Sequence, residues 1–136
     1  MISLKGTQFL EDGNHEDVEF MTEGSLYRQD DTTFIAYEET ELTGMTGTNT
    51  VVKINDGSVM ITRSEQVHSE LIFEKGRRHL SYYETPLGGF TVEVYTTDLK
   101  QKISENCVNL NMTYEMVFNN TSLGKNVLEL EAKVEH

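Results

Sequence analysis

Val108-Asn109-Leu110-Asn111-Met112-Thr113-Tyr114-Glu115-Met116-Val117-Phe118 is the stretch on which the fold turns. Val108, Leu110, Met112, Tyr114, Met116 and Phe118 take every second position, with Asn109, Asn111, Thr113, Glu115 and Val117 between them. Successive side chains of an extended chain point to opposite faces, so this alternation makes one apolar face and one mostly polar face. Wound into a helix, the same residues would scatter their apolar side chains around the whole circumference. The segment therefore reads as a half-buried strand.

The same period continues in both directions. Towards the C-terminus, Leu128, Leu130, Ala132 and Val134 alternate with Glu129, Glu131 and Lys133. Upstream, Phe90, Val92 and Val94 oppose Thr91, Glu93 and Tyr95, and Val67, Ser69, Leu71 and Phe73 oppose His68, Glu70, Ile72 and Glu74. Over 17–29, Val18, Phe20, Thr22, Gly24 and Leu26 share one face. Turn signals separate the runs: Asp12-Gly13-Asn14, Asp30-Asp31, Asn55-Asp56-Gly57, Lys75-Gly76, Pro86-Leu87-Gly88-Gly89 and Asn119-Asn120-Thr121. About ten strands are expected, over 2–11, 17–29, 32–39, 46–54, 58–64, 67–75, 78–85, 89–98, 107–118 and 125–135. No i, i+3, i+4 apolar pattern is sustained, and 99–104 is expected to add at most one helical turn. Short connections make sequential strands neighbours, and a long meander with one apolar face loses its exposed edges by curling into a barrel. A sandwich would need longer crossing connections. The expected fold is all-β: a single antiparallel up-and-down barrel with little or no helix, one domain over 1–136.

A chain of 136 residues can build a real core without disulfides or a structural metal. Its one cysteine, Cys107, excludes an internal disulfide and suits a reducing compartment. No cation stands near Cys107 in sequence to activate it, so it reads as a structural thiol. Met1 to Gly6 lacks the basic start and apolar stretch of a signal peptide, and no apolar run approaches the roughly 20 residues of a membrane span. The expected location is cytoplasmic. Formal charge is −12, and residues 1–50 carry eleven acids against Lys5 and Arg28, a net of −9. Such a surface repels phosphate backbones and anionic headgroups, so neither a nucleic-acid nor a membrane partner is expected. The one basic cluster, Lys75-Gly76-Arg77-Arg78, reads as a hairpin tip.

No nucleophile elbow, phosphate-binding glycine loop or zinc-protease motif is present, so no catalytic residue or cofactor is assigned and a non-enzymatic role is favoured. His15, His68, His79 and His136 do not converge in sequence, His68 and His79 being read as outward-facing, and no metal centre is assigned. Arg63 stands out because it shares parity with the apolar Val59 and Ile61, which places it inside. A guanidinium there needs a partner. It can grip a carboxylate or phosphate ligand bidentately, or it can plug one end of the barrel by bonding strand-end carbonyls or Glu39. Tyr82 and Tyr114 are read as inward with Leu80 and Leu110, and Phe73 and Met112 as apolar wall.

The run Val59-Met60-Ile61-Thr62-Arg63-Ser64, then Leu71-Ile72-Phe73-Glu74-Lys75-Gly76, then Leu80-Ser81-Tyr82-Tyr83-Glu84-Thr85-Pro86-Leu87-Gly88, resembles the YwiB-like family of uncharacterised bacterial proteins. Ile35-Ala36-Tyr37-Glu38-Glu39 and Thr50-Val51-Val52-Lys53-Ile54 extend the likeness, which spans residues 2 to 134. The resemblance implies a calycin-like barrel, the architecture of lipocalins and fatty-acid-binding proteins. It implies no established activity, since the family is a domain of unknown function. The leading expectation is a barrel that binds a small apolar or amphipathic molecule inside, lined by Arg63, Tyr82, Tyr114, Phe73, Met112 and Glu39. The alternative is an interaction module or homodimer with a filled interior, docking through outer residues such as Met21, Tyr27, Ile35 and Ile72.

Overall fold

Alternation becomes extended chain almost throughout the computed structural model, which describes residues 1–9, 15–38, 48–65, 68–85, 88–118 and 121–134. Eleven strands and no helix are found among them: β1 Ile2–Phe9, β2 His15–Thr22, β3 Gly24–Gln29, β4 Thr32–Glu38, β5 Thr48–Asn55, β6 Ser58–Glu65, β7 His68–Glu74, β8 Arg78–Thr85, β9 Gly88–Ile103, β10 Cys107–Phe118 and β11 Thr121–Lys133. They form one antiparallel sheet in the order β2-β1-β11-β10-β9-β8-β7-β6-β5-β4-β3. No helix among the described residues is long and apolar enough to cross a membrane.

The two edges of this sheet, β2 and β3, are consecutive in the chain and separated by Glu23 alone. The run expected as one strand over 17–29 keeps a single inward face but changes neighbours halfway. Its first half pairs with β1 (Ile2↔Thr22, Gly6↔Val18) and its second with β4 (Gly24↔Tyr37, Leu26↔Ile35). The hydrogen-bonded ladder is therefore not closed, and the backbone at Glu23 carries the sheet from one edge to the other. Gly24 makes this possible: a Cβ there would overlap both Ile2 Cδ1 and the Ala36 carbonyl oxygen, so β1 and β4 converge on a residue without a side chain.

β9 is longer than expected and runs straight through the supposed helical turn to Ile103. The reason is a β-bulge. Thr113 pairs with Asp98 but Tyr114 pairs with Thr96, which leaves Thr97 as the extra residue; its hydroxyl donates to the Thr113 carbonyl at 3.2 Å. Val92, Val94 and Thr96 face the core on one side of the bulge, and the parity shift lets Leu99 pack against it on the other. That one-residue shift put Leu99 out of phase with Val94, and the break in period before Leu99 and Ile103, four residues apart, mimicked a helix.

Ile35, Val52, Ile54, Phe73, Val94, Leu110 and Met112 lie fully buried in the core. Ile35, expected on an outer patch, has 0% exposure; its neighbour Phe34 takes the outer side instead and stacks on Tyr27 at 5.0 Å. One end of the barrel is tied shut by polar side chains. The Gln101 amide, projecting from β9, donates to the Asn55 carbonyl at 2.9 Å and accepts from the Gly57 N–H at 3.2 Å. Arg28 donates to the Ser104 carbonyl. These bonds join the ends of β3, β5 and β9 to one another.

Candidate functional site

Paired residues of antiparallel strands share a face, so the registers can be followed across the sheet from Arg63. Tyr37 pairs with Thr50, Thr50 with Arg63, Arg63 with Ser69, Ser69 with Tyr83 and Tyr83 with Phe90. The result is one inward-facing belt across β4 to β9, in the half of the barrel remote from Gln101. Tyr37, Thr50 and Ser69 are buried, while Arg63 and Tyr83 are half-buried. Phe90 stacks on Tyr83 at 5.4 Å and meets Phe118 edge-on at 5.6 Å, giving the belt an aromatic end.

Hydroxyls crowd around this belt. Thr48 lies two residues from Thr50 on β5, and Ser81 two residues from Tyr83 on β8. Thr48 Oγ1, Ser69 Oγ, Ser81 Oγ and Thr96 Oγ1 are buried with no hydrogen-bond partner among the described residues. Leaving a buried hydroxyl unsatisfied costs about 1–3 kcal/mol, and native interiors meet such groups with water or a polar ligand.

Tyr114 reaches the same interior from β10. Its ring meets Phe73 of β7 at 4.8 Å in an edge-on contact that spans the core. Burial pushes the Tyr114 phenol above its ordinary pKa, the positive charge of Arg63 draws it down, and Tyr83 pushes it up. The Tyr114 ring also edges a cleft of about 200 Å³ on the inward face of β2, β1 and β11, lined by Gly6, Glu16, Val18, Asn126 and Leu128. Gly6 creates the space, because its missing Cβ would have no atom within 4 Å. Val18 is 42% exposed on the other side of the cleft. Tyr114 thus borders the cleft and lies close enough to Arg63 to feel its charge.

Of the residues singled out by sequence, the structure brings Arg63, Tyr114 and Phe73 together, with Met112 buried next along β10. Tyr82 is not among them. It is 54% exposed and faces outward with Leu80, which is 74% exposed, while Ser81 and Tyr83 face in. The Tyr82 ring lies over Gly89, where a Cβ would overlap its hydroxyl. Leu80 and Tyr82 are the more apolar pair by composition, which is why their face of β8 was expected to be buried. The pairings Ser81↔Val92 and Tyr83↔Phe90 decide otherwise. Glu39 lies outside the described residues. Thr50, Ser81 and Tyr83 were missed because only the cross-strand registers connect them to Arg63.

The described histidines lie apart from one another in the strand pairing. His79 turns inward, half-buried, and meets Glu74 at 3.2 Å, whereas His68 pairs with Glu84. No group of three or more His, Cys, Asp or Glu among the described residues could hold a metal ion.

The architecture has relatives. A family model described as Domain of unknown function (DUF1934) matches residues 2–130. The chain belongs to this family. The uncharacterised β-barrel protein YwiB of Bacillus subtilis (strain 168) is 26% identical over 106 residues, covering 78% of this chain and 73% of YwiB. The crystal structure of the Bacillus subtilis YwiB protein superposes with a TM-score of 0.79 at 23% identity, covering 98% of this chain and 92% of that one. The superposition shows a shared all-β fold, and the family description names no activity, so the functional reading comes from the interior.

Proposed function

We propose that this chain is a non-enzymatic binding barrel for a small amphipathic anion, with the anionic head at Arg63 and Tyr114 and the apolar part in the cleft beside Gly6. The observation that carries this reading is the belt through Arg63, where Thr50 and Ser69 flank it in register and Thr48, Ser69 and Ser81 carry buried hydroxyls with no partner among the described residues. Hydroxyl donors beside a planar cation make a good receptor for a carboxylate or phosphate. The cleft adds the second requirement, an apolar flank at Val18 and Leu128 opened by the absent side chain of Gly6. Its volume of about 200 Å³ lies below the roughly 300–1,000 Å³ of drug-sized pockets, which favours a short ligand. A cytoplasmic setting suits the single half-buried thiol of Cys107. Dimerisation through the outer face has less support, since Ile35 is buried and Tyr27 is occupied by Phe34.

Calorimetric titration with octanoate and octyl phosphate tests the proposal. Both should bind the wild type, and Gly6→Phe, which fills the cleft, and Arg63→Met, which removes the cation, should each weaken binding at least tenfold. Arg78→Met, on the outer face against Glu93, should bind as the wild type does. Absence of heat with either ligand, or equal affinity in all variants, rules the reading out.

A further inference from the structure

Glu16 is the one part of the cleft that a simple anion does not explain. It closes an inward polar row in which Thr96 pairs with Tyr114, Tyr114 with Asn126, Asn126 with Gln8 and Gln8 with Glu16. Two residues along the strands runs an apolar row, Met112, Leu128, Gly6 and Val18, paired in the same order. Antiparallel partners share a face, so the cleft has one polar edge and one apolar edge. The polar edge begins at the buried Thr96 hydroxyl, which has no partner among the described residues, and at Tyr114 beside Arg63. It ends at Glu16, three strands on, or roughly 14 Å along the sheet at about 4.8 Å per strand.

Glu16 is the only charged residue among those that line the cleft. It forms no hydrogen bond or ion pair among the described residues. Lys5 of β1 and Lys125 of β11 take the alternate parity and so the outer face, Lys5 opposite Glu19 and Lys125 over the Phe9 ring at 5.6 Å. In sequence, 10–14 adds Glu11 and Asp12 and no lysine or arginine. The interior therefore offers a cation at Arg63 and an anion at Glu16, with an apolar row between them.

We propose that the ligand of this cleft is a short zwitterion, a chain with an anionic group at Arg63 and Tyr114 and a primary amine at Glu16. The proposal rests on the ligand reading above and names the class of molecule it concerns. An ammonium group has three N–H donors and no acceptor, and the Glu16 carboxylate together with the side-chain carbonyls of Gln8 and Asn126 supplies acceptors on one row. The methylenes between the two ends lie along Leu128, Val18 and the space left by Gly6. Net charge points the same way. A simple anion approaches against the −9 of residues 1–50, whereas a zwitterion carries no net charge into that field.

Calorimetric titration of the full chain with 8-aminooctanoate and 8-hydroxyoctanoate tests this, since the two differ only in the charge of the distal group. The amine should bind about two- to fivefold tighter at low salt, the gain expected of a solvent-accessible ion pair. Glu16→Gln should erase that preference while octanoate binds as tightly as before or tighter, because a repelling charge is gone. Weakening one ligand and not the other cannot come from a damaged fold. Glu19→Gln, on the outer face of β2 opposite Lys5, should leave the preference unchanged. Equal affinity for the two ligands in the wild type, or a preference that survives Glu16→Gln, overturns this inference and leaves the ligand reading standing. A preference lost equally in Glu19→Gln overturns it too, since the whole acidic surface is then the cause. If octanoate, octyl phosphate and 8-aminooctanoate all fail to bind, both readings fall.

Discussion

Tyr114 joins the energetics of the interior to its chemistry. Its phenol is held above the ordinary value of 10.0 chiefly by burial, with Arg63 opposing and Tyr83 adding to the shift. A tyrosine whose pKa is raised by folding contributes stability that is fully present below the unfolded value, near 10, and is lost as pH rises through the folded one. Stability should therefore fall as pH rises through about 10 and above, and Tyr114→Phe should flatten that fall in urea-unfolding series taken across it. Arg63→Met should move the Tyr114 titration further upward in ultraviolet difference spectra, because the attraction that lowers it is gone. A downward shift would show that Arg63 does not face this phenol. The inward placement of both residues was legible from parity, since each sits in phase with a run of apolar neighbours. Tyr82 was not legible, because β8 carries a plausible apolar side chain on both faces and only its neighbours choose between them.

At the scale of elements, β9 shows how one residue re-aims a strand. Thr97 is the bulged residue, and it alone allows Val94 and Leu99 to contact the same core from positions five apart. Inserting one alanine between Asp98 and Leu99 should turn Leu99 and Gln101 outward and so remove both the Leu99 packing and the amide tie to Asn55 and Gly57. Exposing one leucine costs about 1.5–3 kcal/mol, and loss of the tie adds about 1 kcal/mol. Calorimetry should show Tm lower by at least about 5 °C for the insertion. Thr97→Val, which keeps the bulge and loses one exposed hydroxyl bond, should stay within about 1 kcal/mol of wild type. Equal Tm for the insertion and wild type would mean that a wider bulge absorbs the extra residue. Bulges leave no firm trace in a sequence, because an extra residue reads as a change of period, and here it read as a helical turn.

For the molecule as a whole, a formal charge of −12 on 136 residues means that the folded barrel repels itself. Raising sodium chloride from about 10 to 200 mM shortens the screening length severalfold, so Tm should rise by a few degrees rather than fall. A flat or inverse response would show that local ion pairs such as Arg78 with Glu93 outweigh the net repulsion. The alternating runs and short turns determined by themselves that this chain is a single all-β meander, and that Arg63, Tyr114, Phe73 and Met112 face its interior. Those are local properties: side-chain direction alternates along one strand whatever its neighbours do, and a two-residue turn leaves few options for what pairs next. Only the tertiary structure decided where the two sheet edges meet at Gly24, which face of β8 turns inward, and that Thr50, Ser69 and Tyr83 stand level with Arg63. Each of these depends on register between strands, which no single strand carries, and a slip of one residue reverses it.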